Sequence, residues 1–189
     1  MATFAAVYDA CVLYPAPLRD LLVRLGRTGL FRARWTDQIH DEWIRNLQGN
    51  RPDLSPAQLQ RTRDLMDQAV PDCLVRGFEP LVGALTLPDP DDRHVLAAAI
   101  CAQAGVIVTY NRTDFPPAAL EPYGIEVQHP DEFIRHLFDL SPSAVCQAVR
   151  EQRAALIRPP KSVSELMAIL LAAGLASTVA ALEEMQPLL

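Results

Sequence analysis

The chain has 189 residues, 50% of them hydrophobic, and a formal net charge of −6. The length suits one domain, or one domain with a small appendage, and the apolar content can fill a substantial core. The acidic balance counts against a protein that coats nucleic acid indiscriminately, because that task needs a broadly basic surface.

In chain order, Phe4–Tyr8 is short, apolar and ends at Asp9. This is the pattern of a buried strand whose last position delivers an acid to the sheet edge. A helix is expected from about Ala16, with Leu18, Leu21, Leu22 and Leu25 on one face and Gly26 and Gly29 marking its end. Thr36 is a suitable N-cap for a second helix over 37–48, in which Ile39, Trp43 and Leu47 recur every fourth residue. Glu42 sits at the border of its buried face. Ser55-Pro-Ala-Gln58 opens a third helix, to about Ala69, with a cap, a proline in the first turn and a glutamine three residues on.

Residues 74–78 are expected to form a strand. Pro88-Asp-Pro-Asp-Asp92 is a turn entering a helix over Arg93–Ala104, and Val106–Thr109 is the clearest strand in the chain. Ile125–Gln128 is a further strand, and Pro130 starts another helix. Ser141-Pro142 opens a helix to about Ile157, and Arg158–Lys161 is the best linker. Ser162-Val-Ser-Glu165 is a capping box, and Gly174 separates the last two helices.

Strands alternate with helices through residue 139. The expected fold is therefore α/β: a three-layer α/β/α domain over 1–139 with a mainly parallel central sheet. Residues 140–189 carry no strand signal and form a C-terminal helical extension. In such sheets functional groups collect at the carboxyl ends of the strands, where Asp9 and the loop from Thr109 to Asp114 both fall.

The run from Leu166 to Leu182 is alanine-rich and interrupted by Gly174, Ser177 and Thr178, so it reads as two packed helices rather than a membrane span. No basic residue precedes Arg19, which is unlike a secretory signal. The four cysteines lack Cys-x-x-Cys spacing and read as free thiols in a reducing, cytoplasmic setting. The charge is uneven. Residues 19–63 hold nine arginines against five acids, +4, while the rest holds eight basic residues against eighteen acids, −10. Solvated helix faces would account for this, and so would a basic flank that holds a polyanion beside an acidic site.

Asp9, Glu42, the Asp89/Asp91/Asp92 group and Asp114 each end or open a predicted element. Taken singly, they have plain readings. A carboxylate at a helix N-terminus gains roughly 0.3–1 kcal/mol, which accounts for one or two acids of the Asp89–Asp92 group. Capping does not account for Asp9 ending one strand and Asp114 following another. Clustered ionised carboxylates repel and are costly without a cation. An all-oxygen set suits Mg2+, which needs only one or two direct carboxylates and keeps several waters. Zinc would want His or Cys, and the four histidines lack ligand spacing. His94 follows Asp92 closely; as a lone histidine on a helix it reads as structural.

These residues resemble the PIN domain, and within it the VapC-like toxin ribonucleases of bacterial toxin–antitoxin pairs, from Phe4 to about Phe138. The carriers are Val7-Tyr-Asp9-Ala-Cys-Val-Leu, Ile39-His-Asp-Glu42-Trp, Asp89-Pro-Asp-Asp92-Arg-His-Val-Leu-Ala-Ala-Ala and Val108-Thr-Tyr-Asn111-Arg-Thr-Asp114-Phe-Pro. The helical tail is similar to that of a subgroup with an extra C-terminal domain. The resemblance implies a Mg2+- or Mn2+-dependent endoribonuclease with Asp9, Glu42, Asp92 and Asp114 as catalytic acids. Asp9, Asp92 and Asp114 would hold the metal, with Asp89 assisting. Asp89, Asp91 and Asp92 compete for the third acid, and Asp92 best matches the family helix.

Thr109 and Asn111 would order the loop. The resemblance further implies an RNA substrate such as transfer or ribosomal RNA, a cognate antitoxin and a homodimer. Arg24, Arg27, Arg45 and Arg51 are the RNA-backbone candidates. The competing readings are a nuclease of the same fold in RNA processing or on DNA without an antitoxin, a non-catalytic nucleic-acid-binding module, and a phosphatase-like hydrolase with Asp9 as nucleophile. The last lacks its usual Asp-x-Asp spacing, since position 11 is Cys.

Overall fold

The computed structural model describes residues 4–185. Strand β1 (Ala5–Tyr8) is buried along its whole length and is followed by a one-turn helix α1 (Ala10–Leu13) and by α2 (Ala16–Gly26). Next come β2 (Arg32–Arg34), α3 (Asp37–Asn50), α4 (Pro56–Ala69), the short α5 (Glu79–Val82) and α6 (Arg93–Cys101). Then follow β3 (Val106–Val108), α7 (Pro117–Leu120), β4 (Glu126–Gln128) and α8 (Pro130–Leu140). The chain finishes with α9 (Pro142–Ala155), α10 (Val163–Ala172) and α11 (Ala176–Glu184).

All four strands run parallel in the order β2-β1-β3-β4. The two central strands, β1 and β3, are wholly buried, which explains their unbroken apolar sequence. Tyr8 lies opposite Val108, so the chain leaves both central strands at the same end of the sheet. Asp9 and Thr109 are therefore neighbours although a hundred residues of sequence separate them.

Two local expectations are corrected. Residues 74–78 do not form a strand. Leu74 makes only an isolated bridge to Trp35, held by Trp35 N–H donating to the Cys73 carbonyl at 2.9 Å and Val75 N–H to the Trp35 carbonyl at 2.8 Å. The strand beside β1 is instead Arg32-Ala-Arg34, whose side chains alternate exposed, buried and half-buried. It packs under α2 at Gly26, where an added Cβ would meet the Ala33 Cβ at 3.0 Å. Finally, the helix expected to reach Ala104 ends at Cys101, and Gln103 follows with φ at +50°.

The other helices start where their caps predict. Thr36 accepts from Ile39 N–H, and Ser55 and Ser162 form complete capping boxes with Gln58 and Glu165. Burial of Tyr8, Phe31, Trp35 and Phe133 ties the layers together. Tyr8 stacks on Trp35 and meets the edge of Phe133, which comes from α8. Helix α8 thus contributes to the core beneath the sheet while packing along α9 and α11. Helix α9 lies against α2, and Gln152 Nε2 donates to the Pro17 carbonyl at 2.7 Å. Among the described residues no helix is long and apolar enough to cross a membrane.

Candidate active site

A group of acids gathers around the carboxyl ends of β1 and β3. Asp9 is its most buried acid, at 3% exposure. It caps α1, accepting from Ala10 N–H at Oδ1 (2.6 Å), while Oδ2 accepts from Thr109 Oγ1 (2.6 Å) and Cys11 Sγ (3.1 Å). These donors orient the carboxylate and leave one lone pair on Oδ1 unused. Burial nonetheless pushes the Asp9 carboxyl up, the Glu42 charge pushes the same way, and its hydrogen bonds pull it down.

Glu42 projects from α3, one residue before the buried Trp43, and is half-buried. His94 Nε2 lies 3.4 Å from Glu42 Oε2. The other ring nitrogen, Nδ1, is buried without a hydrogen-bond partner among the described residues.

Asp92 stands at the N-terminus of α6, after a one-turn 3-10 helix at Pro90–Asp92 that Asp89 caps by accepting from Asp91 N–H at 2.8 Å. The Asp92 carboxyl is pushed up to about 7, by burial first and then by the charges of Asp9, Asp89, Asp114 and Glu42. Asp114 ends a second 3-10 turn after β3 and is half-buried, whereas Asp89 and Asp91 are exposed. Acids from four separate stretches of sequence therefore come near enough to act on Asp92.

Thr109 is fully buried and bonds Asp9. Asn111 N–H donates to Thr109 Oγ1 at 3.0 Å, which curls the loop back toward β1. Sequence reasoning missed one member of this group. Cys11, treated there as an ordinary buried thiol, lies 3.1 Å from Asp9 Oδ2 and 3.2 Å from Thr109 Oγ1, and accepts from Tyr110 N–H at 3.3 Å. Its position two residues past Asp9, in the first turn of α1, was the available signal. His94, read from sequence as structural, is in contact with Glu42.

The four candidate arginines are dispersed. Arg45 is exposed on α3, three residues past Glu42 and so on a neighbouring part of the same face. Arg51 is exposed and paired with Asp53 at 2.7 Å. Arg24 and Arg27 sit at the C-terminal end of α2 and converge on Glu151, with Arg24 also paired to Asp20. Helix α2 returns antiparallel to the strands, so both lie toward the opposite end of the sheet from Asp9.

Among the described residues, no three His, Cys, Asp or Glu side chains stand close enough to form a ready coordination shell. The chemistry of the donor set still fits a hard divalent cation. Its free donors are carboxylate oxygens, and the repulsion that raises Asp92 is what a cation would relieve. Mg2+ bridges to carboxylates partly through its own waters, so oxygens need not crowd together in advance.

Comparison with known proteins identifies the family. The family model described as PIN domain matches residues 5–113, and the one described as VapC50 C-terminal domain matches residues 130–184. The chain is similar to a curated protein of Mycobacterium tuberculosis named Putative ribonuclease VapC50, with 40% identity over 91 residues. That match covers 48% of this chain and 53% of the relative, so the chain spans about half the length of the curated protein it matches. No solved structure matches.

Proposed function

The chain belongs to the PIN-domain family, and from that membership we propose that it is a Mg2+- or Mn2+-dependent endoribonuclease acting as the toxin of a toxin–antitoxin pair. The observation that carries the reading is that parallel β1 and β3 end side by side and bring Asp9 together with Glu42, Asp89, Asp92 and Asp114, near enough that burial and these charges push the Asp92 carboxyl up. A structural cluster of this kind would be expected to carry arginine or lysine partners, and the ion pairs of the described residues include none to Asp9, Asp89, Asp92 or Asp114.

Asp9, Asp92 and Asp114 would hold the cation, with Asp89 assisting at the rim. When bound, the ion supplies an activated water and screens charge on the phosphate. Thr109 and Cys11 keep the Asp9 carboxylate in one orientation. Glu42, 3.4 Å from His94 Nε2, would accept a proton from a water beside the acids. Of the four candidate arginines, Arg45 would be the one to meet a phosphate of RNA near the acids. Arg24, Arg27 and Arg51 are already engaged with carboxylates and would have to release them first.

We divide the chain into a nuclease domain over 1–139 and a helical extension over 140–189. The C-terminal family match begins earlier, at residue 130, and takes in α8, which the two parts share. The same reading extends to a cognate antitoxin, a homodimer and a cytoplasmic setting, supported by family likeness alone. The test is cleavage of transfer and ribosomal RNA by the purified chain with Mg2+, with EDTA, and with Asp9→Asn in parallel. Inducible expression with mapping of new RNA 5′ ends then reads target and toxicity together. Full cleavage in EDTA, or by Asp9→Asn, overturns the reading.

A further inference from the structure

The C-terminal helices touch the catalytic loop through one side chain. Tyr110 lies between Thr109, which bonds Asp9, and Asn111, which bonds back to Thr109. Its backbone N–H donates to Cys11 Sγ, and its hydroxyl donates to the Ala173 carbonyl at 2.6 Å. Ala173 is the C-cap of α10, so its carbonyl is one of the acceptors that a helix cannot satisfy internally and lies at the negative end of the helix dipole. The phenol ring is packed edge-on against His129, with ring centres 5.1 Å apart. Gly174 lies beside both rings, and its backbone conformation rather than lack of space calls for glycine. It turns the chain with φ at +84°, and a Cβ there would lie 3.8 Å from Tyr110 Cε1 and from His129 Cε1.

The turn that presents Ala173 is itself held independently of Tyr110. The Asp131 carboxylate of α8 accepts from Ser177 N–H (2.9 Å), Ser177 Oγ (2.8 Å) and Thr178 N–H (2.8 Å), which caps and docks α11. The loop, by contrast, has few other anchors. Asn111, Arg112 and Thr113 are exposed before Phe115 is buried again, and the Arg112–Glu132 pair at 3.4 Å is a surface contact of little worth.

We propose that the turn between α10 and α11 is a positioning element of the active site, acting through the Tyr110 hydroxyl to hold the loop that carries Asn111 and Asp114. The extension is then part of what makes the nuclease domain competent. What the loop is held for rests on the nuclease reading above; that it is held does not. Tyr110 is a positioning residue, since its hydroxyl points away from the acids to Ala173.

The test is Tyr110→Phe, which removes the hydroxyl and keeps the ring, with hydrogen exchange and Mn2+ calorimetry as readings independent of cleavage. Amides of Asp114 and Phe115, which bond Asn111 and Arg112 carbonyls, are expected to exchange about fivefold faster, the effect of one net hydrogen bond, with α2 and α4 unchanged. The Kd for Mn2+ is expected to rise about fivefold. Gly174→Ala, which strains the turn from the tail side, should give the same signature. Loop exchange within twofold of wild type, exchange rising equally in α2, or an unchanged Mn2+ Kd would each overturn the proposal. A wild-type chain that binds Mn2+ but cuts no RNA would instead sink the nuclease reading and leave this one standing.

Discussion

Replacing Asp92 by Asn should make the protein more stable and less able to bind metal. The ordinary aspartate value is 3.8, and in the fold the carboxyl is pushed up to about 7, by burial and by Asp9, Asp89, Asp114 and Glu42. A raised value means that the folded state resists ionisation. Below pH 4 Asp92 is protonated in both states and carries no penalty. As pH climbs past 3.8 the unfolded chain ionises first, and stability falls until pH exceeds about 7. A gap of about three units corresponds to roughly 4 kcal/mol at most. Asp92 is only half-buried, so solvent screening reduces this to about 1–2 kcal/mol. For a chain of this length that is about 3–6 °C in Tm.

Thermal unfolding in EDTA should therefore place Asp92→Asn above wild type at pH 8, with the gain vanishing near pH 4. Saturating Mg2+ should reverse the order, because binding stabilises only the protein that retains the ligand. A variant no more stable than wild type at pH 8, or equally favoured at pH 4 and pH 8, would mean that the acids do not converge on Asp92.

Asp9→Asn should abolish Mg2+-dependent RNA cleavage while Tm stays within about 3 °C, since Asn is as good an N-cap for α1 as Asp; a comparable loss of fold by circular dichroism would contradict this. Thr109→Val removes the 2.6 Å donor to buried Asp9 without changing side-chain shape. It should cost about 1–3 kcal/mol in urea unfolding and lower cleavage, with Thr109→Ser restoring both, so wild-type behaviour of the valine variant would refute the role given to this bond. Ser162→Ala breaks the capping box of α10 and should cost about 1 kcal/mol by the same measurement, leaving cleavage unchanged because the contact with Tyr110 is at the other end of that helix.

Helix positions were legible because their signals are local. Thr36, Ser55 and Ser162 bond amides three residues on, and Leu18, Leu21, Leu22 and Leu25 share a face through backbone geometry alone. The central strands were equally plain, because burial on both faces leaves a continuous apolar run. The order of the acids along the chain, with the family likeness it carries, pointed to the fold and to a candidate site.

Tertiary structure decided the rest, for one physical reason: the stabilising partner lies far away in sequence. Arg32–Arg34 becomes a strand because β1 supplies its hydrogen bonds and Gly26 gives Ala33 room, not because its own side chains favour one. Cys11 joins the site because β3 brings Thr109 to it across 98 residues. Tyr110 meets Ala173 because Asp131 docks α11 on α8. The acids could be counted in the sequence, but the burial and mutual charge that raise Asp92 exist only once the sheet has gathered them at its edge.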